Sequence, residues 1–199
     1  MSLSKKLPIP EPENSLVDPI TLAVIVLKAC VTCFDEDTQV IKNDGKSVAV
    51  KDLTEGDRIL SIKDASNPHE KFYDEVTNAT LVHGSFAAHK LVFSNGKSIT
   101  VTSPHLMMIL KDSIMQMVAA KDVQVHDIMC FENSEFSAVT ETVETLLPRK
   151  MNIATKTGLF FANDLLTTGM CENIPKILPA PAKDIQTQFM ATDHHYVYA

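Results

Sequence analysis

Apolar and polar residues alternate through most of the chain from residue 33 onward, and glycine-bearing turns break the alternation at short intervals. Gln39-Val40-Ile41 leads into Asn43-Asp44-Gly45, and Ser47-Val48-Ala49-Val50 leaves it, which predicts a short hairpin. Leu53-Thr54-Glu55-Gly56-Asp57 reads as a turn with glycine where positive φ is needed, followed by a strand over Arg58–Ile62. Past the Asn67-Pro68 loop, Phe72–Thr77 and Ala79–His83 read as further strands. The clearest hairpin comes next: Leu91 and Phe93 on one arm, Asn95-Gly96 at the turn, Ile99 and Val101 on the other arm. Leu106–Leu110 predicts a buried strand, strand-like pieces follow over 123–132 and 137–146, and a last pair sits near Ile153–Thr155 and Leu159–Leu166. Any helix is short. The pattern predicts an all-β fold.

One segment repeats. Lys51-Asp52-Leu53-Thr54-Glu55-Gly56-Asp57 returns as Lys121-Asp122-Val123-Gln124-Val125-His126-Asp127, each with an apolar residue after Lys-Asp and an Asp four positions later. Each leads into a strand. Two strand-rich halves with this echo predict a duplication and a pseudo-two-fold architecture.

Composition adds limits more than detail. At 199 residues the chain has material for one good core and for linkers. Its 45% hydrophobic and 22% charged content is that of an ordinary globular protein. A net charge of −7 without a Lys/Arg-rich face argues against nucleic acid as a partner. Pro8, Pro10, Pro12 and Pro19 mark an extended linker over residues 5–19, and Ile20–Val31 is an apolar segment, a strand or one buried helical turn. That run contains Lys28 and is too short to span a bilayer, and its acidic upstream flank does not fit a signal peptide, so no targeting address is readable.

Four cysteines, Cys30, Cys33, Cys130 and Cys171, are too few for a disulfide framework. Cys30-Val31-Thr32-Cys33 has redox or half-zinc spacing, but no second cysteine or histidine pair completes a metal site, so no metal and no organic cofactor are expected. Cys33, however, heads the first strand, and Thr102-Ser103-Pro104-His105 closes a later one with a hydroxyl and an imidazole. The electrophile nearest to the Cys33 thiol is its own preceding peptide bond, Thr32–Cys33. Attack on that carbonyl closes a five-membered ring and converts the amide to a thioester. The step is uphill unless a proton reaches the departing nitrogen and a donor orients the carbonyl. Thr102 and His105, three apart at a strand end, suit those tasks.

Four stretches, in order, resemble the Hint domain, the autoprocessing module shared by inteins and the Hedgehog C-terminal region. They are Cys33-Phe34 with Thr38 and Val40; Val50 to Leu60; Ile99-Thr100-Val101-Thr102-Ser103-Pro104-His105-Leu106, with its T-x-x-H motif; and Thr155 to Leu166. The resemblance runs from Cys33 to about Cys171, some two-thirds of the chain. It implies a disc of antiparallel strands with long hairpins. It also implies Cys33 as nucleophile and Thr102 and His105 as activators of the Thr32–Cys33 amide. The expected division is a flank over 1–32 that is cleaved away, a Hint domain over 33–173, and a tail over 174–199.

Departures from the pattern set the expected subtype. Inteins end in His-Asn before Cys, Ser or Thr, whereas the matching positions here are about Thr168-Gly169, so the end resembles the Hedgehog group. The aspartate with which that group activates cholesterol belongs about twenty residues before Thr102, where Thr80-Leu81-Val82-His83-Gly84 has no carboxylate. Cholesterol is therefore not supported. The expected substrate is the chain's own N-terminal flank, and the acceptor is a small nucleophile: water, a thiol, an amine or an alcohol. His83 stands open between an accessory base and an ordinary loop histidine. His89 and His126 are expected to be structural. By the resemblance, which places the first and last strands side by side, Cys171 could face Cys33 and lock it as a disulfide. The rival readings are full splicing as an intein and a decayed Hint fold kept for binding.

Overall fold

The computed structural model describes residues 32–63, 67–112 and 114–169, twelve strands and two single turns of 3-10 helix. β1 (Cys33–Phe34), the hairpin β2 (Gln39–Ile41) and β3 (Ser47–Ala49), and β4 (Arg58–Ile62) open the fold. β5 (Lys71–Phe93) turns through Asn95-Gly96, with Gly96 at φ 80°, into β6 (Ser98–Thr102). β7 (Leu106–Lys111), β8 (Ile114–Ala119) and β9 (Ile128–Cys130) precede the second long strand, β10 (Phe136–Thr155), and β11 (Leu159–Ala162) and β12 (Leu165–Thr168) end the described chain. All the strand pairs are antiparallel. Ten strands form one sheet in the order β11-β12-β7-β9-β10-β1-β6-β5-β4; β8 pairs with β7, β10 also pairs with β5, and β2 and β3 stand apart as their own ribbon. This is the all-β arrangement expected, with almost no helix.

The repeated segment folds twice into the same shape. Val50–Asp52 and Ala120–Asp122 each make one 3-10 turn. Leu53 N donates to Val50 O at 3.2 Å and Val123 N to Ala120 O at 3.3 Å. Asp57 Oδ2 accepts from Thr54 N at 2.9 Å, and Asp127 Oδ2 accepts from Gln124 N at 2.8 Å. An aspartate four positions after the apolar residue thus closes its own turn in both copies, which is why the spacing repeats. Each turn then hands the chain to a strand start, through Val76 N to Asp57 O and Val139 N to Asp127 O, both 2.8 Å.

β5 and β10, of 23 and 20 residues, tie the halves together. They pair with each other along most of their length, with irregularities at Val139/Glu141, Leu147/Arg149 and Ala154/Thr155. The pieces expected as separate strands over 72–77, 79–83 and 91–93 are one continuous strand, as are those over 137–146 and 153–155. Of the piece expected over 123–132 only β9 is strand, because the turn closed by Asp127 occupies its first part. β8 has no counterpart among the sequence expectations.

The core that results is shared. Phe34, Leu91, Phe93, Ile99, Val101, Phe131 and Phe160 are almost fully buried in one cluster, and Ile62, Met108, Phe161 and Leu166 in a second. Phe34 anchors β1, edge-on to His105 and tilted against Phe160. Truncation of such a residue to alanine costs about 3–5 kcal/mol, so β1 is held as firmly by packing as by its two-residue ladder.

Candidate active site

β1 is too short to hold itself. It is clamped between β10, where Cys33 lies opposite Asn152 and Phe34 opposite Met151, and β6, where Phe34 lies opposite Val101. The resemblance placed the first strand beside the last. Among the described strands, β1 sits between β6 and β10, and β12 pairs with β11 and β7, because the long β10 fills the position beside β1. Cys171 and Cys30, the flank before Thr32 and the tail over 174–199 lie outside the described residues.

Thr102, the last residue of β6, reaches the junction directly. Its Oγ1 accepts a hydrogen bond from the Cys33 amide nitrogen at 3.3 Å and lies 3.5 Å from the Cys33 carbonyl oxygen. His105 N donates to Thr102 O at 2.9 Å, closing a turn around Ser103-Pro104. The turn explains the three-residue spacing: it brings hydroxyl and imidazole back to one place, and Pro104 has no N–H with which to extend the ladder.

His105 is completely buried. Its ring meets Phe34 at 4.6 Å between centroids, and its Nε2 lies 3.0 Å from Thr167 Oγ1 on β12. Nδ1 is buried and has no hydrogen-bond partner among the described residues. Burial pushes the imidazole down to about 3, and the one polar group acting against that shift is the Cys33 backbone. A charged ring without a full set of partners is costly in such surroundings, so the ring is neutral at pH 7.

The thiol is buried too. Cys33 Sγ donates to Asn152 Oδ1 at 2.6 Å. Burial raises the thiol above its ordinary 9.0, while the charge and hydrogen bond of Lys150, and a hydrogen bond with Thr102, pull it down. Thr102 therefore touches the nitrogen, the carbonyl side and the sulfur of one residue. Thr32, on the other side of the junction, is also fully buried, and its Oγ1 has no partner among the described residues.

The structure brings Thr32, Cys33, Thr102 and His105 into one site. It does not bring His83 there. His83 is exposed on β5 opposite Arg149, one step out of phase with Asn152 and Lys150, so the pleat turns it to the other face. His89 binds Ser103 Oγ through Nδ1 at 3.2 Å, as a structural residue would. Asn152, Lys150 and Thr167 were missed by sequence reading. They lie 119, 117 and 62 positions from the groups they meet, and no local motif marks them. Among the described residues no cluster of His, Cys, Asp or Glu could hold a metal ion.

A family model described as Hint module matches residues 25–160, more than half of the chain. The chain belongs to the Hint family. Its fold is shared with solved structures of low identity. The gp41-1 intein is 20% identical, with TM-score 0.57, over 69% of this chain and 98% of the intein. The DnaB intein from Synechocystis sp. PCC 6803 is 16% identical, with TM-score 0.59, over 70% and 99%. The bacterial intein-like domain from Clostridium thermocellum is 18% identical, with TM-score 0.59, over 69% and 98%. No curated protein matches the chain. Membership of the Hint family supports autoprocessing as the general activity.

Proposed function

We propose that the chain cleaves itself at Thr32–Cys33 by an N-to-S acyl shift and that a small nucleophile then resolves the thioester. The observation that carries this reading is the convergence on one amide. Thr102 Oγ1 meets the Cys33 nitrogen at 3.3 Å, and a buried, neutral His105 stands beside the Cys33 backbone, its Nδ1 without a partner among the described residues.

The reaction as a whole moves one proton from sulfur to nitrogen. The Cys33 S–H bond breaks, Sγ bonds the Thr32 carbonyl carbon, and the carbon–nitrogen bond breaks as the nitrogen takes up a proton. With Nε2–H given to Thr167 Oγ1, the Nδ1 lone pair of His105 can take the thiol proton and hand it to the nitrogen. Once protonated, a group with a pKa of about 3 is a strong acid, well suited to a reluctant amide nitrogen. Thr102 fixes that nitrogen. Water, a thiol, an amine or an alcohol then attacks the thioester, releases the segment ending at Thr32, and leaves Cys33 as a new N-terminus.

Cleavage is favoured over splicing at the other end. By the resemblance the positions matching the intein His-Asn are about Thr168-Gly169, and a Cβ on Gly169 would stand 2.7 Å from Ile153 O and 3.0 Å from Phe160 Cε1. Thr168, at the position before it, spends its hydroxyl on Leu106 O at 2.8 Å. An asparagine side chain has no room to cyclise there.

Intact mass followed with time, alone and with dithiothreitol or hydroxylamine, tests the reading against Cys33→Ala. The expected products are the chain from Cys33 onward and a 1–32 fragment capped by the added nucleophile, with none from Cys33→Ala. A wild-type chain that stays whole under both nucleophiles sinks the proposal and favours a decayed fold. A ligated product of 1–32 and the C-terminal tail favours splicing.

A further inference from the structure

Lys150 is a lysine in an unusual place. Only 8% of its surface is exposed, and among the described residues it forms no ion pair with a carboxylate. Its neighbour Arg149 takes Glu36 instead. A buried ammonium is costly unless something answers its charge. Two things meet it. The Phe86 ring lies beneath Nζ at 4.4 Å to the centroid, a cation–π contact. Gly84 makes that ring position available, since a Cβ at residue 84 would lie 2.6 Å from Phe86 Cζ. The second is the Cys33 thiol. Cys33 is opposite Asn152 in the β1–β10 ladder, and Lys150 is two residues before Asn152, so all three side chains leave the sheet on one face. There the charge and hydrogen-bonding capacity of Lys150 pull the thiol down against the upward push of burial.

We propose that Lys150 is a further catalytic residue, whose ammonium is the counter-ion that holds the Cys33 thiolate during the acyl shift. This rests on the Thr32–Cys33 reading above. Lys150 keeps its protons throughout: the thiol proton passes to His105 Nδ1 and on to the departing nitrogen, and the sulfur's negative charge is answered by Nζ until the new carbon–sulfur bond forms. The aromatic face of Phe86 holds the ammonium without neutralising it, which a carboxylate would do. The division of labour is complete: His105 moves the proton and Lys150 holds the charge. Two titratable groups near β1 are engaged elsewhere. His89 on β5 is bonded to Ser103, and Glu36 after β1 is paired with Arg149.

The test uses the full chain with Lys150→Met, which keeps the packing on Phe86 but not the charge, and Lys150→Arg, which keeps the charge. Hydroxylamine cleavage is followed from about pH 6 to about pH 9. Lys150→Met is expected to be about tenfold slower at neutral pH and to climb about one pH unit later, a tenfold change per unit of thiol pKa, while Lys150→Arg stays within a few-fold of wild type. A Lys150→Met profile that superimposes on wild type, or drops equally at every pH, overturns the proposal, because a merely structural residue gives one or the other.

A second measurement works whether or not the chain cleaves. The ultraviolet absorbance of the thiolate is titrated with pH and the Cys33→Ser signal subtracted; Cys130, pushed up to about 12 by burial, cancels. The Cys33 midpoint should rise by about one unit in Lys150→Met. An unchanged midpoint ends the Lys150 proposal even in a chain that cleaves. A shifted midpoint in a chain that never cleaves ends the cleavage reading and leaves the ion pairing standing.

Discussion

The corner that holds His105 and the corner that holds Thr38 are built alike. His105 N donates to Thr102 O at 2.9 Å, and Thr38 N donates to Asp35 O at 3.1 Å. His105 O accepts from Ala120 N at 2.7 Å, and Thr38 O from Val50 N at 2.8 Å. Ser103 O accepts from Lys121 N at 3.1 Å, and Glu36 O from Lys51 N at 3.2 Å. By these bonds Asp35 stands where Thr102 stands, and Thr38 where His105 stands. Phe34 and Val101, which precede the two corners, pair with each other near the centre. The backbone frame is thus present twice, and the chemistry once. A tight turn followed by a 3-10 turn is a support that either half can offer; what makes one corner a candidate site is a hydroxyl and an imidazole in it, aimed at the start of the other half.

The strongest way to break this comparison is to exchange the roles of the corners. His105→Ala should slow hydroxylamine-dependent cleavage by about a hundredfold or more, the usual contribution of a positioned acid–base group, with the far-ultraviolet circular dichroism unchanged. Thr38→Ala, at the equivalent place, should leave the cleavage rate within a few-fold and cost about 1 kcal/mol in urea unfolding. Equal losses of rate in both variants would mean that the corners act only as supports.

The two corners also differ in acid. A buried histidine held down to about 3 against an ordinary 6.5 favours the folded state only while it is neutral. The contribution is therefore complete above pH 6.5 and is lost as pH falls toward about 3, at about 1.4 kcal/mol per unit. Urea unfolding in the uncleavable Cys33→Ala background should show about 3 kcal/mol less stability at about pH 4 than at about pH 7, and His105→Gln should remove most of that slope. Nothing comparable is expected from the corner with Thr38, whose side chain does not titrate.

The smallest contrast lies in the repeated turns. Gly56 sits at φ 89° and its equivalent His126 at φ 79°, a left-handed conformation that suits glycine. His126→Gly should therefore stabilise the fold by about 1 kcal/mol, and Gly56→Ala should destabilise it by a similar amount, because nothing within 4 Å of a Cβ at residue 56 adds a clash. Thermal unfolding of both variants measures this directly. A His126→Gly variant less stable than wild type would show that the imidazole contributes packing that the turn alone does not reveal.

What could be read in the sequence was what local chemistry marks. Asn43-Asp44-Gly45, Asn95-Gly96 and the two aspartate-closed turns carry their own turn signals, and Thr102 and His105 share a single turn. The long strands were legible only in pieces. Leu81, Val143 and Leu146 are exposed apolar residues within β5 and β10, where the two strands leave the core and the in-and-out alternation lapses. The register irregularities around Leu147/Arg149 and Ala154/Thr155 shift the pattern again. β8, with Met115 and Met117 in a six-residue run, lacks the β-branched density that marks a strand. Asn152 and Lys150 were hidden for a stricter reason: only the β1–β10 register makes them neighbours of Cys33. Thr167 likewise meets His105 only once β12 has paired with β7.

The distances along the chain between Cys33 and its partners also set a clock. Thr102 is 69 residues downstream and Asn152 is 119, and the hydroxyl facing His105 is 62 residues beyond that histidine. During synthesis the junction emerges long before anything that can act on it, and closing such separations is slow compared with local hairpin formation. An upstream segment therefore has the whole translation time of this domain in which to fold, still covalently attached. β12, the last described strand to be made, completes the surroundings of His105. Under the cleavage proposed above, release would report that synthesis has passed residue 168, and a chain stopped short of β12 would keep its N-terminal segment.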